Sequence, residues 1–315
     1  MMFRQVLTAR ARSAQKRSVL DAVDLLSTYS LRMMDVGAAG GAPARWQPFA
    51  RVVDYVGVEP DPRSTSDLIS TKSSRFRSHT VATKGLWSSE GSVTLHMCRK
   101  PMASSIYRPN AKFAALFPDS GRFDIVGTET MEVTTIDNLV NNQYLLDGIK
   151  LDVQGAEFEV LAGAKETLAS TLLVESEVEF VPLYENQPLV SDVTQQLSIY
   201  EIEFIDYLYL YRWHPEVLDG TGQLVFADAL YMRSPEKLPD DEGVVRKYAA
   251  LAIMYERGDL LTRLSRTVEN RELRHQISEV ATRVNSRNSR SNSRIQLMSR
   301  IIRTTHADVR GHLFH

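Results

Sequence analysis

Two groups of residues have the types and spacing for chemistry. The first is Asp35-Val36-Gly37-Ala38-Ala39-Gly40-Gly41, followed by Glu59 at the end of the next apolar run. Small residues after a strand let backbone come close to a ligand. A carboxylate ending the neighbouring strand can accept two hydrogen bonds from ribose hydroxyls. The full G-x-G-x-x-G fingerprint is absent, because Ala39 stands where a second glycine would admit a pyrophosphate. That weakens NAD and FAD. Asp-x-Gly-x-x-x-Gly suits a nucleoside ligand without phosphate, such as S-adenosylmethionine; the plain alternative is a turn and nothing more.

The second group is acidic. In Ile149-Lys150-Leu151-Asp152-Val153-Gln154-Gly155-Ala156-Glu157, Asp152 closes an apolar run and Glu157 opens a helix. A carboxylate ending a buried strand needs a partner or a ligand, and ligands of open α/β sheets bind at such strand ends. For Glu157 the alternative is service to the helix dipole. Glu175 and Glu177 share one side of a strand by its two-residue period. Two like charges held together raise one pKa or bind a divalent cation; a solvated strand end is the alternative. His79, His96 and His214 are further bases, though lone histidines are mostly structural. A carboxylate base is preferred, with a divalent metal left open and no metal ligand assigned.

The elements that must position these residues alternate as βα units. Strands are expected at Leu31–Val36, Tyr55–Val58, Met131–Ile136, Ile149–Val153, Leu172–Val178, Phe204–Tyr211 and Leu224–Met232. Helices are expected from Asp61-Pro62, over Glu157–Leu168 and around Ser191–Tyr200. His79–Ala82 and Ser92–Met97 flank a turn-like Ser88-Ser89-Glu90-Gly91 and read as a strand and hairpin. Residues 98–122 read as a long loop over the sheet edge.

Together DVGAAGG, YVGVEPDP, the serine pair in MASSIY, VTTIDNL, IKLDVQGAEFEVLAGA and LLVESEVEFVPLYENQPLVSDVTQQL resemble the FkbM-like family of S-adenosylmethionine-dependent methyltransferases over about residues 31–210. The resemblance implies an α/β fold: the doubly wound, Rossmann-like sheet of a class I methyltransferase, here with a helical C-terminal extension. It also implies O-methylation of a hydroxyl on a saccharide, a glycan or a secondary-metabolite sugar. By position, Asp35, Gly37, Ala39 and Gly41 form the methionine-side turn of the cofactor site, and Glu59 holds the ribose. Ser104 and Ser105 match the family's serine pair near the cofactor, while Asp152 and Glu157 lie in the block facing the transferred methyl. Similar members usually carry Asn where Ala39 stands, which puts one polar contact of the family pattern in question here but not the backbone turn. Methyl transfer needs orientation and a general base, for which Asp152, Glu157, Glu175 and Glu177 are the candidates. Trp87, Tyr107, Tyr184 and Trp213 are candidate sugar platforms, and residues 98–122 and 180–190 candidate acceptor loops.

Composition sets the remaining limits. The 315 residues are 43% hydrophobic and 24% charged, which excludes disorder throughout. No apolar run is long enough for a transmembrane segment, and the start lacks the apolar core of a secretory signal. The single Cys98 excludes an internal disulfide framework, so a cytoplasmic protein is expected, with peripheral membrane attachment left open. Three parts are expected: an N-terminal helix at 1–30, the methyltransferase domain at 31–235, and a basic helical extension at 240–315, flexible at 285–294. The net charge of −2 divides into −8 over residues 1–240 and +6 over 241–315. A basic tail admits a second reading, a nucleic-acid-binding or interaction protein on a degenerate methyltransferase domain. The tail's only aromatics, Tyr248, Tyr255 and Phe314, argue against nucleic acid. A homo-oligomer or a glycan-synthesis complex held through the tail helices remains a candidate partner arrangement. The apolar rows Tyr248, Leu251, Tyr255 and Leu260, Leu264, Val268 read as core.

Overall fold

The computed structural model describes residues 2–61, 75–141, 143–214 and 221–302. Two compact units divide the chain: residues 26–247, and residues 1–25 together with 248–315. The helix expected after Asp61-Pro62 falls almost wholly outside the described residues.

The chain opens with helix α1 (Met2–Leu26) and enters strand β1 (Leu31–Val36). Strand β2 (Val53–Val58) and strand β3 (Ser78–Ala82) then run outward from β1, each parallel to its neighbour. After a detour the chain returns on the other flank of β1 with β7 (Gly148–Leu151), which leads to β8 (Leu173–Glu179). The last two strands, β9 (Ile202–Trp213) and β10 (Gln223–Arg233), complete a seven-stranded sheet of order β3-β2-β1-β7-β8-β10-β9. β10 slots between β8 and β9 and is antiparallel to both. This is the doubly wound sheet of a class I methyltransferase. The switch of winding direction lies between β1 and β7, where ligands of such sheets bind.

The detour builds a second sheet, β4 (Gly85–Leu86), β5 (Gly91–Cys98) and β6 (Ile125–Thr134), in the order β4-β6-β5. The expected hairpin joining His79–Ala82 to Ser92–Met97 is therefore corrected: β3 completes the large sheet, and β5 pairs with β6. Nor is 98–122 a bare loop. It holds short turns and the helix α2 (Ala111–Ala114), and it buries Cys98, Ala103, Ala114, Phe117 and Phe123 against Leu183, Tyr184 and Trp213. Each large apolar side chain so buried contributes roughly 1.5–3 kcal/mol, enough to fix the segment in place.

Side-chain alternation gives the large sheet two unlike faces. Met34, Val36, Ile149, Leu151, Val174 and Val178 share one apolar cluster. The helices α3 (Ile136–Val140), α4 (Glu157–Ala162), α5 (Lys165–Leu168) and α6 (Val190–Ser198) cover it with Ile136, Val160, Leu161, Leu168 and Leu197. The expected single helix 157–168 is thus two, parted at Gly163-Ala164. On the opposite face the register sets Asp35, Lys150 and Glu175 side by side.

The remaining helices are α7 (Glu242–Met254), α8 (Gly258–Thr267) and α9 (Arg271–Ile302). The rows Tyr248, Leu251, Tyr255 and Leu260, Leu264, Val268 are all buried, as their spacing predicted. The Asn/Ser/Arg run 285–294 lies inside α9. Its residues cost a helix only a few tenths of a kcal/mol each, far less than Gly or Pro. In this unit α1 and α9 meet through Asp21, a buried carboxylate 3.1 Å from Arg17 and 3.0 Å from Arg283, with Arg287 at 3.8 Å.

At the end of β1 the backbone of Gly37 adopts φ 82°, and an added Cβ would lie 2.0 Å from the Asp152 carbonyl oxygen. Gly37→Ala is expected to cost about 2 kcal/mol or more. Gly40→Ala, whose Cβ would meet nothing within 4 Å, is expected to melt close to wild type. Equal melting temperatures for the two variants would refute this account of the turn.

Candidate functional site

The chemistry-bearing residues gather where β1, β7 and β8 end. Asp35 is buried, and its carboxylate accepts a hydrogen bond from the Tyr55 hydroxyl at 3.0 Å and lies 3.3 Å from Lys150 Nζ. Burial pushes its pKa up to about 6 against the pull of Lys150 and Tyr55. Burial also works against the charge of Lys150, but Asp35, Asp152 and Glu175 outweigh it and hold the ammonium above its ordinary range. Lys150 Nζ is also 3.6 Å from Asp152. One cation thus bridges the carboxylates that end β1 and β7.

The turn after β1 carries Ala38–Gly40 as a single helical turn, with Ala39 and Gly40 exposed. Glu59, at the end of β2, is buried and accepts the backbone N–H of Asp61 at 2.9 Å and that of Ala39. Burial raises its pKa. The expected ribose carboxylate therefore sits against the glycine turn, and each of its oxygens keeps lone pairs for further donors.

The block after β7 is knotted to two distant segments. Gln154 takes the left-handed conformation at φ 56°. Its side-chain amide donates to Asp152 at 3.2 Å and to Glu177 at 3.0 Å, and its Oε1 accepts from the Tyr184 hydroxyl at 3.2 Å. Its carbonyl accepts from the Ser105 hydroxyl at 2.7 Å. Gly155, at φ 91°, passes Tyr184 and Gln187 so closely that a Cβ would lie 3.1 Å and 3.2 Å from them. Glu157 reaches back from the first turn of α4 to accept the Val153 N–H at 2.8 Å.

The expected catalytic residues separate by exposure. Asp152 has 43% of its side chain exposed, whereas Glu157 and Glu175 are 2% and 4% exposed. Burial, with Asp152 nearby, lifts Glu157 to about 7. Glu177 is partly buried; burial and the charges of Asp152, Glu179, Glu157 and Asp228 hold it well above the usual carboxylate range. Glu175 lies 3.6 Å from Arg45. Ser105 is buried against the 152–157 block, and the Ser104 hydroxyl accepts the Cys98 N–H at 3.0 Å, so both serines brace main chain. His79 stacks on Tyr55, with ring centroids 5.0 Å apart. Tyr184 and Trp213 are 0% and 6% exposed, which removes both as sugar platforms. Trp87 and Tyr107 stay half-exposed with ring centroids 6.2 Å apart, and burial with the charges of Glu159 and Glu157 pushes the Tyr107 hydroxyl up to about 12.

Reading the sequence overlooked Lys150, Gln154, Tyr55, Arg45 and Asp228. Lys150 carried a signal, a lone cation in an apolar strand on the same side as Asp152. Asp228 carried none, since its importance comes from the register that sets it opposite Glu177. Burial and the neighbouring Glu175 and Asp152 lift Asp228 to about 6. Among the described residues no three His, Cys, Asp or Glu side chains are arranged to hold a metal ion.

Residues 35–209 match the model of the methyltransferase FkbM domain. The chain belongs to the FkbM methyltransferase family. A curated relative of this methyltransferase is the 2-O-methyltransferase NoeI of Sinorhizobium fredii, 28% identical over 195 residues that cover 57% of this chain and 76% of NoeI. Among solved structures, TehB from Haemophilus influenzae aligns with TM-score 0.35 and 13% identity over 68% of this chain and 61% of TehB. The N-methyltransferase NodS from Bradyrhizobium japonicum WM9 aligns with TM-score 0.33 and 8% identity over 71% of this chain and 96% of NodS. No described helix is long and apolar enough to cross a membrane.

The raised carboxyl of Glu157 makes stability depend on pH with a definite sign. Between about 4.5, its ordinary value, and about 7, the folded chain holds a proton that the unfolded chain releases. Stability from this group therefore falls as pH rises through that window. Glu157→Gln is expected to remove the loss, so the melting-temperature difference, variant minus wild type, grows by several degrees from pH 4.5 to pH 8. A difference that is flat with pH would contradict the assignment.

Proposed function

We propose that this methyltransferase uses S-adenosylmethionine to methylate a hydroxyl of a saccharide or glycan. The cofactor reading is supported by the glycine turn. Ala39 and Gly40 leave exposed backbone after β1, no atom lies within 4 Å of where a Cβ on Gly40 or Gly41 would stand, and Glu59 waits at the end of β2. A nucleoside fits such a cradle better than a pyrophosphate. Gly37, Ala39 and Gly41 would line the amino-acid side, and Glu59 would take the ribose. When bound, the cofactor supplies an electrophilic sulfonium methyl.

The chain's own residues then orient the acceptor and move one proton. Asp152 is the base we favour, because among the carboxylates at the strand ends it combines exposure with fixed contacts to Lys150 and Gln154. It would accept the hydroxyl proton as the oxygen forms its bond to carbon. Glu157 and Glu175, being buried, would set the field around it, and Lys150 would hold Asp35 and Asp152 in register.

The saccharide reading rests on the half-exposed pair Trp87 and Tyr107 beside Glu157 and Glu159, and transfer to oxygen is supported by the similarity to NoeI, a 2-O-methyltransferase. A cleft of about 440 Å³ also opens between the two expected acceptor loops, lined by Arg108, Pro109, Phe123, Asp124 and Glu185.

Saturating S-adenosylmethionine is expected to raise the melting temperature by mass action; no shift would overturn the cofactor assignment. With a panel of saccharide acceptors, Asp152→Asn should lower kcat by roughly 10²–10⁴-fold while calorimetry still detects cofactor. Trp87→Ala should raise the saccharide KM by roughly 2–10-fold and leave cofactor affinity unchanged. Transfer confined to non-sugar hydroxyls would refute the saccharide assignment alone.

A further inference from the structure

We propose that Gln154 is a positioning residue for the methyl-transfer site, with the Tyr184 hydroxyl fixing which way its amide points. The proposal rests on Asp152 being the base, and it adds the device that aims that base. Three observations carry it.

The first is conformational. Gln154 sits at φ 56°, a backbone region that costs a side-chain-bearing residue of order 1 kcal/mol or more. Glycine would avoid that cost, so the side chain at this turn has work to do. The second is the bonding pattern. A primary amide has two N–H donors and one oxygen, and here both donor contacts go to carboxylates, Asp152 at 3.2 Å and Glu177 at 3.0 Å. Flipping the amide would aim its oxygen at two carboxylates. The Tyr184 hydroxyl, 3.2 Å from Oε1, adds to that preference with the one proton it shares between Oε1 and the Ala103 carbonyl oxygen. The third is the support behind Tyr184. It is fully buried, its N–H donates to Gln187 Oε1 at 2.6 Å, and its hydroxyl also lies 3.1 Å from the Ala103 carbonyl oxygen. The orientation of one exposed-end carboxylate thus traces back, through Gln154, to a side chain locked in the core.

The amide also settles a like-charge problem. Asp152 and Glu177 repel each other, and Glu157, Glu179 and Asp228 add to the negative field. Lys150 reaches Asp152 from β7, and the hydroxyls of Tyr184 and Tyr211 face the same group of carboxylates. Among these, Gln154 is the neutral donor shared by Asp152 and Glu177. Donation to the charged form holds a carboxylate's pKa down, so Gln154 opposes the upward pull that burial and neighbouring charges exert on Glu177.

The test is carbon-detected NMR titration of the full chain with labelled Asp and Glu carboxyls, assigned through Asp152→Asn and Glu177→Gln. Gln154→Gly removes the amide while suiting the left-handed backbone, so the turn is kept. In this variant the Glu177 midpoint should rise by about one pH unit, the scale of one lost hydrogen bond to a charged group, and the Asp152 carboxyl resonance should change its chemical shift as its orientation is released. Tyr184→Phe should move the Glu177 midpoint in the same direction by less, and Gln154→Asn, a shorter amide that tolerates this backbone, should fall between Gln154→Gly and wild type. An unmoved Glu177 midpoint or an unmoved Asp152 resonance in Gln154→Gly overturns the proposal, and an unmoved Glu177 midpoint in Tyr184→Phe overturns the part given to Tyr184. If Gln154→Gly fails to fold, the side chain is structural rather than positioning and the proposal falls. None of these readouts needs methyl transfer. Failure to bind S-adenosylmethionine would be seen separately, as the absent melting shift.

Discussion

The approach of the Gly37 backbone to the Asp152 carbonyl oxygen is the contact on which the site depends. A methyltransferase must bring a cofactor turn and a catalytic strand end within reach of one ligand, although the two are far apart in sequence. Here the Asp152 N–H donates to the Val36 carbonyl at 3.0 Å, and the turn folds directly over that bond. No side chain fits between them. The space at the switch point is therefore set by main chain, which cannot be repacked by rotamer changes, and every side chain at the site is placed relative to it. Lys150 then ties the strand ends electrostatically, while the apolar residues alternating with it anchor the same strands to the helices behind.

That division of faces also explains the electrostatics. A sheet buried on both sides offers little water to a carboxylate, so Asp35, Glu157, Glu177 and Asp228 all sit above their ordinary pKa values, with burial the largest cause for each. The cluster survives near neutral pH because its charges are shared out. Lys150 serves Asp35 and Asp152, Arg45 serves Glu175, and the Gln154 amide serves Asp152 and Glu177.

Much of this was legible in the residues. The periodic strands and the Asp35–Gly41 turn announced themselves by composition, and Glu59 and Asp152 stand where strand ends put them. What was not legible depends on long-range pairing. Nothing local says that β5 seeks β6 rather than its neighbour β3, because hairpin signals report sequence proximity and the ladder follows burial. Tyr184 looked like an aromatic available to a sugar, yet the segment 99–124 folds over it and makes it a core residue. Gln154 carried no signal of its own, and only its three partners, one from each of three segments, reveal what the side chain does. The helical assignment over 285–294 was not legible from its polar composition either, although a run without glycine or proline is no bar to a helix.

The limits of the family match carry a last physical point. The matched segment ends at residue 209, but it cannot close the sheet alone. β10, at 223–233, lies between β8 and β9, so without it β8 has an open edge and the remainder of β9 has no partner strand. Asp228 belongs to that strand and faces Glu177 across it, which means the late strand supplies charge to the site as well as hydrogen bonds to the sheet. A buried carboxylate cluster needs its low-dielectric walls complete before its pKa values can be held. The electrostatic setting of Glu177 therefore depends on a strand outside the segment that identifies the family.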